Sequence, residues 1–113
     1  MSALPQSLVP QLNVSTFIAV RITFDPAKRA TTLEGRGLDF ADAEHVFAGP
    51  TYTIRDERLA YPEPEGRFIT AGFLATRMVI IAWTPIEGGR HIISMRKAND
   101  REQTRYRERF EQT

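Results

Sequence analysis

Between Arg67 and Arg96 the chain offers three apolar, β-prone runs, Arg67 to Leu74, Met78 to Thr84 and Arg90 to Arg96, separated by only a few residues. Connections this short leave no room for a crossover to a parallel neighbour, so the runs predict an antiparallel meander. Glu87-Gly88-Gly89 is the clearest hairpin tip. The end of the third run adds a second constraint. Ile92, Ile93 and Met95 give the strand its buried content, and Arg96 and Lys97 place two adjacent cations where regular pairing ends. Asn99, with Glu102 three residues later, makes a capping box that opens a final helix from Asp100 to Glu111. A junction fixed by local hydrogen bonds aims its cations reproducibly, and beside a helix start it is a plausible place to hold phosphate.

The N-terminal half supplies the remaining elements. Phe17 to Phe24 alternates Ile18, Val20 and Ile22 on one side and predicts a first strand. Asp25 is a good N-cap and Pro26 a good first helical residue, which puts Lys28 one turn into a helix ended by Gly35 and Gly37. Asp39 offers a second N-cap, and Phe40, Ala43, Val46 and Phe47 recur at helical spacing until Gly49-Pro50. Thr51 to Arg55 reads as a short strand, and Pro62 to Gly66 as a polar loop. The predicted order is β-α-α-β-β-β-β-α, an α+β layout with a small antiparallel sheet and helices packed on it. With 113 residues, 42% of them hydrophobic, the chain suits one domain, taken as residues 17–113. Residues 1–16 hold no Lys or Arg but two prolines, and read as a loose N-terminal extension without a secretory pattern. No apolar run is long enough to span a membrane.

Charge and residue types narrow the chemistry. Residues 1–57 carry five Lys/Arg against seven Asp/Glu, and residues 58–113 carry ten against seven, so the basic material is C-terminal. Without cysteine there is no thiolate zinc site, disulfide or cysteine nucleophile, which fits a cytoplasmic protein. His45 and His91 are the only histidines and sit in no ligand pattern, so neither a metal nor another cofactor is expected. Gly35-Arg36-Gly37 is helix termination, not a nucleotide loop. What remains is a cationic set, Lys28, Arg67, Arg96 and Lys97, with further arginines on the last helix. Such a set suits RNA. Cleavage without metal needs the ribose 2′-hydroxyl as nucleophile, a group to take its proton, a donor for the departing 5′-oxygen, and cations on the phosphoryl oxygens. Arg and Lys fill the last role. Tyr106, Glu102 and Asp25 are the candidates for the first proton transfer. Taken singly, Lys28, Arg101, Arg105, Arg107 and Arg109 suit a solvated helix face. Trp83 is expected in the core and outside the site.

Four segments together resemble the BrnT toxins: Phe24-Asp25-Pro26-Ala27-Lys28, Gly37-x-x-Phe40-x-x-Ala43, Arg67-Phe68-x-x-x-Gly72, and Ile92-Ile93-Ser94-x-Arg96-Lys97-Ala98 with Glu102 and Tyr106 beyond it. The resemblance runs from about Ile22 to Tyr106. It implies a RelE-like endoribonuclease that blocks translation, held inactive by a DNA-binding antitoxin, BrnA, of the ribbon-helix-helix class, in a complex that represses its own operon and could be a hetero-tetramer. Lys28, Arg67, Arg96, Lys97 and Tyr106 are then the expected catalytic positions, with Asp25, Arg36 and Glu102 as binding positions. Where the family pattern reads Asn-x-x-Lys-His-Gly, this chain has Thr32-Leu33-Glu34-Gly35-Arg36-Gly37. A guanidinium there keeps positive charge but cannot shuttle protons as imidazole does. The competing expectations are a toxin-like module that binds its antitoxin with weak or lost catalysis, and a plain RNA-binding domain. Family members usually begin close to Val20, so natural translation is expected to start near there.

Overall fold

The computed structural model describes residues 20–57 and 66–111. The extension 1–16, the first three residues of the expected first strand, and residues 62–65 of the expected loop lie outside them. Strand β1 (Arg21–Phe24) leads into helix α1 (Pro26–Arg36), a 3₁₀ turn (Phe40–Asp42) and helix α2 (Ala43–Ala48). Strands β2 (Tyr52–Arg55), β3 (Phe68–Leu74), β4 (Arg77–Ile86) and β5 (Gly89–Lys97) come next, and helix α3 (Asp100–Glu111) closes the chain.

Local chemistry sets the ends of these elements. The Asp25 carboxylate accepts from the Ala27 amide at 3.0 Å ahead of Pro26, and Gly37, left-handed at φ 72°, ends α1 by returning its amide to the Leu33 carbonyl. Asp39 caps the 3₁₀ turn through the Ala41 amide and also forks onto Arg29 at 2.7 and 2.9 Å, which ties α1 to the segment after it. That fork and the cap hold the Asp39 carboxyl at about 2.

The sheet order is β1-β5-β4-β3-β2. Strands β2 to β5 form an antiparallel meander, whereas β1 lies parallel to β5, so the sheet is mixed rather than wholly antiparallel. The helices and three intervening strands separate β1 from β5, which supplies the long crossover that parallel pairing needs. Each sheet face packs against different helical material. On one, Leu38, Phe40, Ala43 and Val46 cover Val79, Ile81, Ile92 and Met95. On the other, Tyr106 and Phe110 of α3 cover Ala71, Met78 and Ile80. Gly72 is the point where α2 comes closest, since a Cβ there would lie 2.6 Å from Val46 Cγ1.

Strand β5 breaks its own alternation. Trp83 pairs with Ile92 and Ala82 with Ser94, so Ile93 is an extra residue, a β-bulge. The bulge explains how Ile92 and Met95, three apart, enter the same core cluster. It also turns Ser94 and Arg96 to the α3 face, where strict alternation from Ile92 would have sent them into the α2 side.

Candidate functional site

Strand β5 past its bulge supplies the centre of the site. Arg96, directed to the α3 face, meets Glu102 in the first turn of α3 through two parallel bonds of 2.8 and 2.7 Å. Glu102 also accepts from the Asn99 amide at 2.9 Å, while the Asn99 side chain accepts from the Glu102 amide at 2.8 Å, the reciprocal capping box expected from the sequence. Arg96, then the Asn99 amide, hold the Glu102 carboxyl at about 2, against burial that pushes the other way. The junction is therefore an ion-paired corner, and much of the charge Arg96 brings is answered locally.

Two hollows open beside it. One, of about 430 Å³, lies between α3 and the start of β3 and is lined by Arg67, Arg96, Glu102, Arg105 and Tyr106, with the buried Asp56 at its back. The other, of about 660 Å³, lies between α1 and β5 and is lined by Lys28, Thr32, Arg36 and Ile93. Arg67 and Ser94 line both, so the hollows share a wall.

The expected site residues divide between these hollows and the surface. Lys28 and Arg36 sit in the α1 hollow, Arg96, Glu102 and Tyr106 in the α3 hollow, and Arg67 belongs to both. Lys97 is exposed at the strand end, paired with Val79, and lines neither hollow. Asp25 is an exposed helix cap. Tyr106 is buried, its ring 6.0 Å from that of Tyr52, and reaches the hollow from the core side. Arg36 donates to the Met95 carbonyl at 3.0 Å. That carbonyl lies beyond the end of β1, on the stretch of β5 that β1 does not pair, so the guanidinium closes an open sheet edge.

The sequence reading placed neither Ser94 nor Arg105 among the site residues, although Ser94 stands in the motif and Arg105 on the charged last helix. Ser94 could have been found from its two-residue spacing to Arg96, and Arg105 from its three-residue spacing to Glu102 on the helix. Trp83, expected in the core, packs against the core cluster from a half-buried position, its indole N–H donating to Thr70 at 2.8 Å. His91 is held in the strand by a 2.7 Å bond to Thr23 Oγ1. Among the described residues no three His, Asp or Glu side chains gather closely enough to hold a metal ion, and no helix is long and apolar enough to cross a membrane.

Fold and site together define a small α+β protein in which strand β5, the residue leading into β3 and two flanking helices gather cations around paired hollows, an arrangement able to hold a polyanion. Residues 24–102 match the family model of BrnT, the ribonuclease toxin of type II toxin–antitoxin systems. No curated protein and no solved structure matches. The match covers well over half of the chain, which therefore belongs to the BrnT family of ribonuclease toxins.

Proposed function

We propose that the chain is a metal-independent endoribonuclease toxin acting in the cytoplasm, a single RelE-like domain of residues 17–113 that blocks translation and is neutralised by a BrnA-type antitoxin. The observation that carries the reading is the shared wall between the hollows. An RNA strand laid along the α1 hollow and into the α3 hollow passes Lys28, then Arg67, then Arg96, so consecutive phosphates meet consecutive cations. At the scissile phosphate the 2′-oxygen gives its proton to water and bonds to phosphorus, the bond to the 5′-oxygen breaks as that oxygen takes up a proton, and the products are a 2′,3′-cyclic phosphate and a 5′-hydroxyl. Arg67, which both hollows reach, stabilises the charge on the phosphoryl oxygens. Arg96 is pinned by Glu102 and offers a positioned rather than a mobile charge.

The carboxylates fit proton transfer poorly. Glu102, held at about 2 by Arg96, is a weak base, and Asp25 is engaged as a helix cap at the far end of α1. Tyr106 is the candidate with a hydroxyl group in the α3 hollow, where it could donate to the departing 5′-oxygen. A second reading, a toxin-like protein that binds its antitoxin with weakened catalysis, is favoured by Arg36: the residue at the family's histidine position cannot shuttle a proton, and it is spent on the Met95 carbonyl.

Expression of the chain alone in a bacterial host, beside an Arg67→Ala, Arg96→Ala double variant, decides between the readings. Growth arrest with RNA cleavage, both abolished in the folded variant, is the expected result. Absence of arrest from folded protein would refute the enzyme and leave antitoxin binding as the function.

A further inference from the structure

On the α2 face of the sheet the packed core stops short of the β4–β5 hairpin, and a hollow of about 460 Å³ opens there. Val20, Phe68, Trp83, Pro85 and the backbone of Gly88 and Gly89 wall it, with Arg90 across it. It lies on the opposite side of the sheet from Ser94 and Arg96. Phe68 and Trp83 stack with their centroids 5.2 Å apart and planes at 27°, Arg55 lies 5.4 Å over the Phe68 ring, and the Trp83 N–H is already donated to Thr70, so the pair presents apolar ring surface with no free donor.

Arg90 is the anomaly in this wall. Its guanidinium carbon lies 4.1 Å from the Phe47 centroid and 5.0 Å from that of Trp83. Aromatic faces offset part of the cost of removing a cation from water, but they do not take the in-plane Nε–H bond. That Nε is buried without a hydrogen-bond partner, and no carboxylate among the described residues pairs with the group. Burial accordingly pushes its pKa down. A half-buried guanidinium with an unpartnered Nε beside an open apolar hollow is a site that an anion arriving with an apolar neighbour would complete.

We propose that this hollow seats a segment of the protein partner that a type II toxin has, presenting an apolar side chain to Phe68 and Trp83 and a carboxylate to Arg90. The inference rests on membership of the toxin family and not on RNA cleavage. Nucleic acid is the less suitable occupant, because the wall is mainly apolar and the cations beside it, Arg90 and the Arg55 that lies over Phe68, are both engaged on aromatic rings, where a phosphate backbone calls for a row of accessible ones. The α3 hollow, on the opposite face of the sheet, shares no lining residue with this one.

Trp83 is the sole tryptophan of the chain, so its fluorescence reports on this hollow. The full-length chain is titrated with the antitoxin encoded in its operon, any tryptophan of that antitoxin being replaced by phenylalanine, and acrylamide quenching is measured throughout. The expected result is that Trp83 is open to acrylamide in the free chain and shielded severalfold in the complex. Arg90→Gln should weaken the complex about ten- to a hundredfold, as expected for losing a charged partner at a desolvated contact. Arg90→Lys, which keeps charge but loses the fork, should fall between. RNA cleavage by the Arg90→Gln protein should be unchanged, and a chain that cleaves no RNA leaves the binding assay fully readable. The proposal is overturned if Trp83 is already shielded in the free chain, since the chain's own residues then fill the hollow. It is also overturned if single-stranded polyuridylate, rather than the antitoxin, shields Trp83, or if Arg90→Gln, shown to be folded by circular dichroism, binds the antitoxin undiminished. Should neither variant fold, the shielding of Trp83 in the unmodified chain decides the matter.

Discussion

Replacing Glu102 by glutamine isolates the ion pair at the centre of the site from the helix cap that shares its carboxylate. The amide keeps an oxygen for the Asn99 N–H and nearly the same shape, but it removes the charge facing Arg96 and puts an NH2 donor where Oε2 had accepted from the guanidinium. A carboxyl held at about 2 instead of 4.5 corresponds, at face value, to roughly 3 kcal/mol. Arg96 is 43% exposed, so water screens the pair, and a two-bond pair reaching solvent retains about 1 kcal/mol. The folded pKa lies below the unfolded one. The contribution is therefore complete above about pH 4.5 and is lost as pH falls toward 2. Urea unfolding at pH 7 and pH 3, at fixed ionic strength, reads this directly. At pH 7 the Glu102→Gln midpoint should fall by about 0.5 M, and at pH 3 the gap from wild type should shrink by more than half. Equal gaps at the two pH values would refute the reasoning, because the loss would then come from packing or the cap. No gap at either would mean that the pair is fully screened.

Other substitutions test neighbouring arguments. Gly89→Ala places a Cβ far inside van der Waals contact of the Arg21 carbonyl oxygen, a backbone atom with little freedom to retreat, and should cost about 1–3 kcal/mol in thermal unfolding. Gly88→Asn, in open space at φ 75° and tolerable to asparagine, should cost less than half as much. Asp39→Ala removes a cap and an ion pair together, so its melting temperature should fall further than that of Arg29→Ala, which leaves the cap in place. If RNA tracks along the α1 hollow, Lys28→Ala should reduce the slope of log affinity against log salt by about 0.7, one phosphate contact on a single strand, as measured by fluorescence anisotropy.

The parts of this protein that were legible in the sequence are those whose physics is local. Asp25-Pro26 and Asn99 with Glu102 announce helix starts through bonds spanning at most three residues, and both appear as read. The meander followed in the same way from turn lengths. Facing and partnership were harder. The sequence places Arg96 and Lys97 together, but side chains of successive strand residues point apart, and only Arg96 lines a hollow. Glu102 was readable as a cap, whereas its hold on Arg96 depends on how α3 folds back over β5. The parallel placement of β1 and the use of Arg36 on a sheet edge are also decided by tertiary packing, which no short window records. The α1 and α3 hollows meet at Arg67 because a residue at the start of β3 reaches across the sheet face, a relation invisible in a sequence spacing of 29 residues from Arg96.

The extra residue in β5 makes this arrangement depend on counting. Were Ile93 taken into regular pairing opposite Ala82, every residue after it would turn over, carrying Ser94 and Arg96 under the α2 side and lifting Met95 out of the core, although every residue named in the site would still be present in the chain. Pairing at this point thus carries information that composition does not. Deleting Ile93 itself would keep these facings, since Ser94 would then follow Ile92 directly, whereas flattening the bulge with every residue present would exchange inside for outside along the end of β5. A relative of equal length that lost the bulge could keep Ser94, Arg96 and Glu102 and still be unable to bring them to one surface.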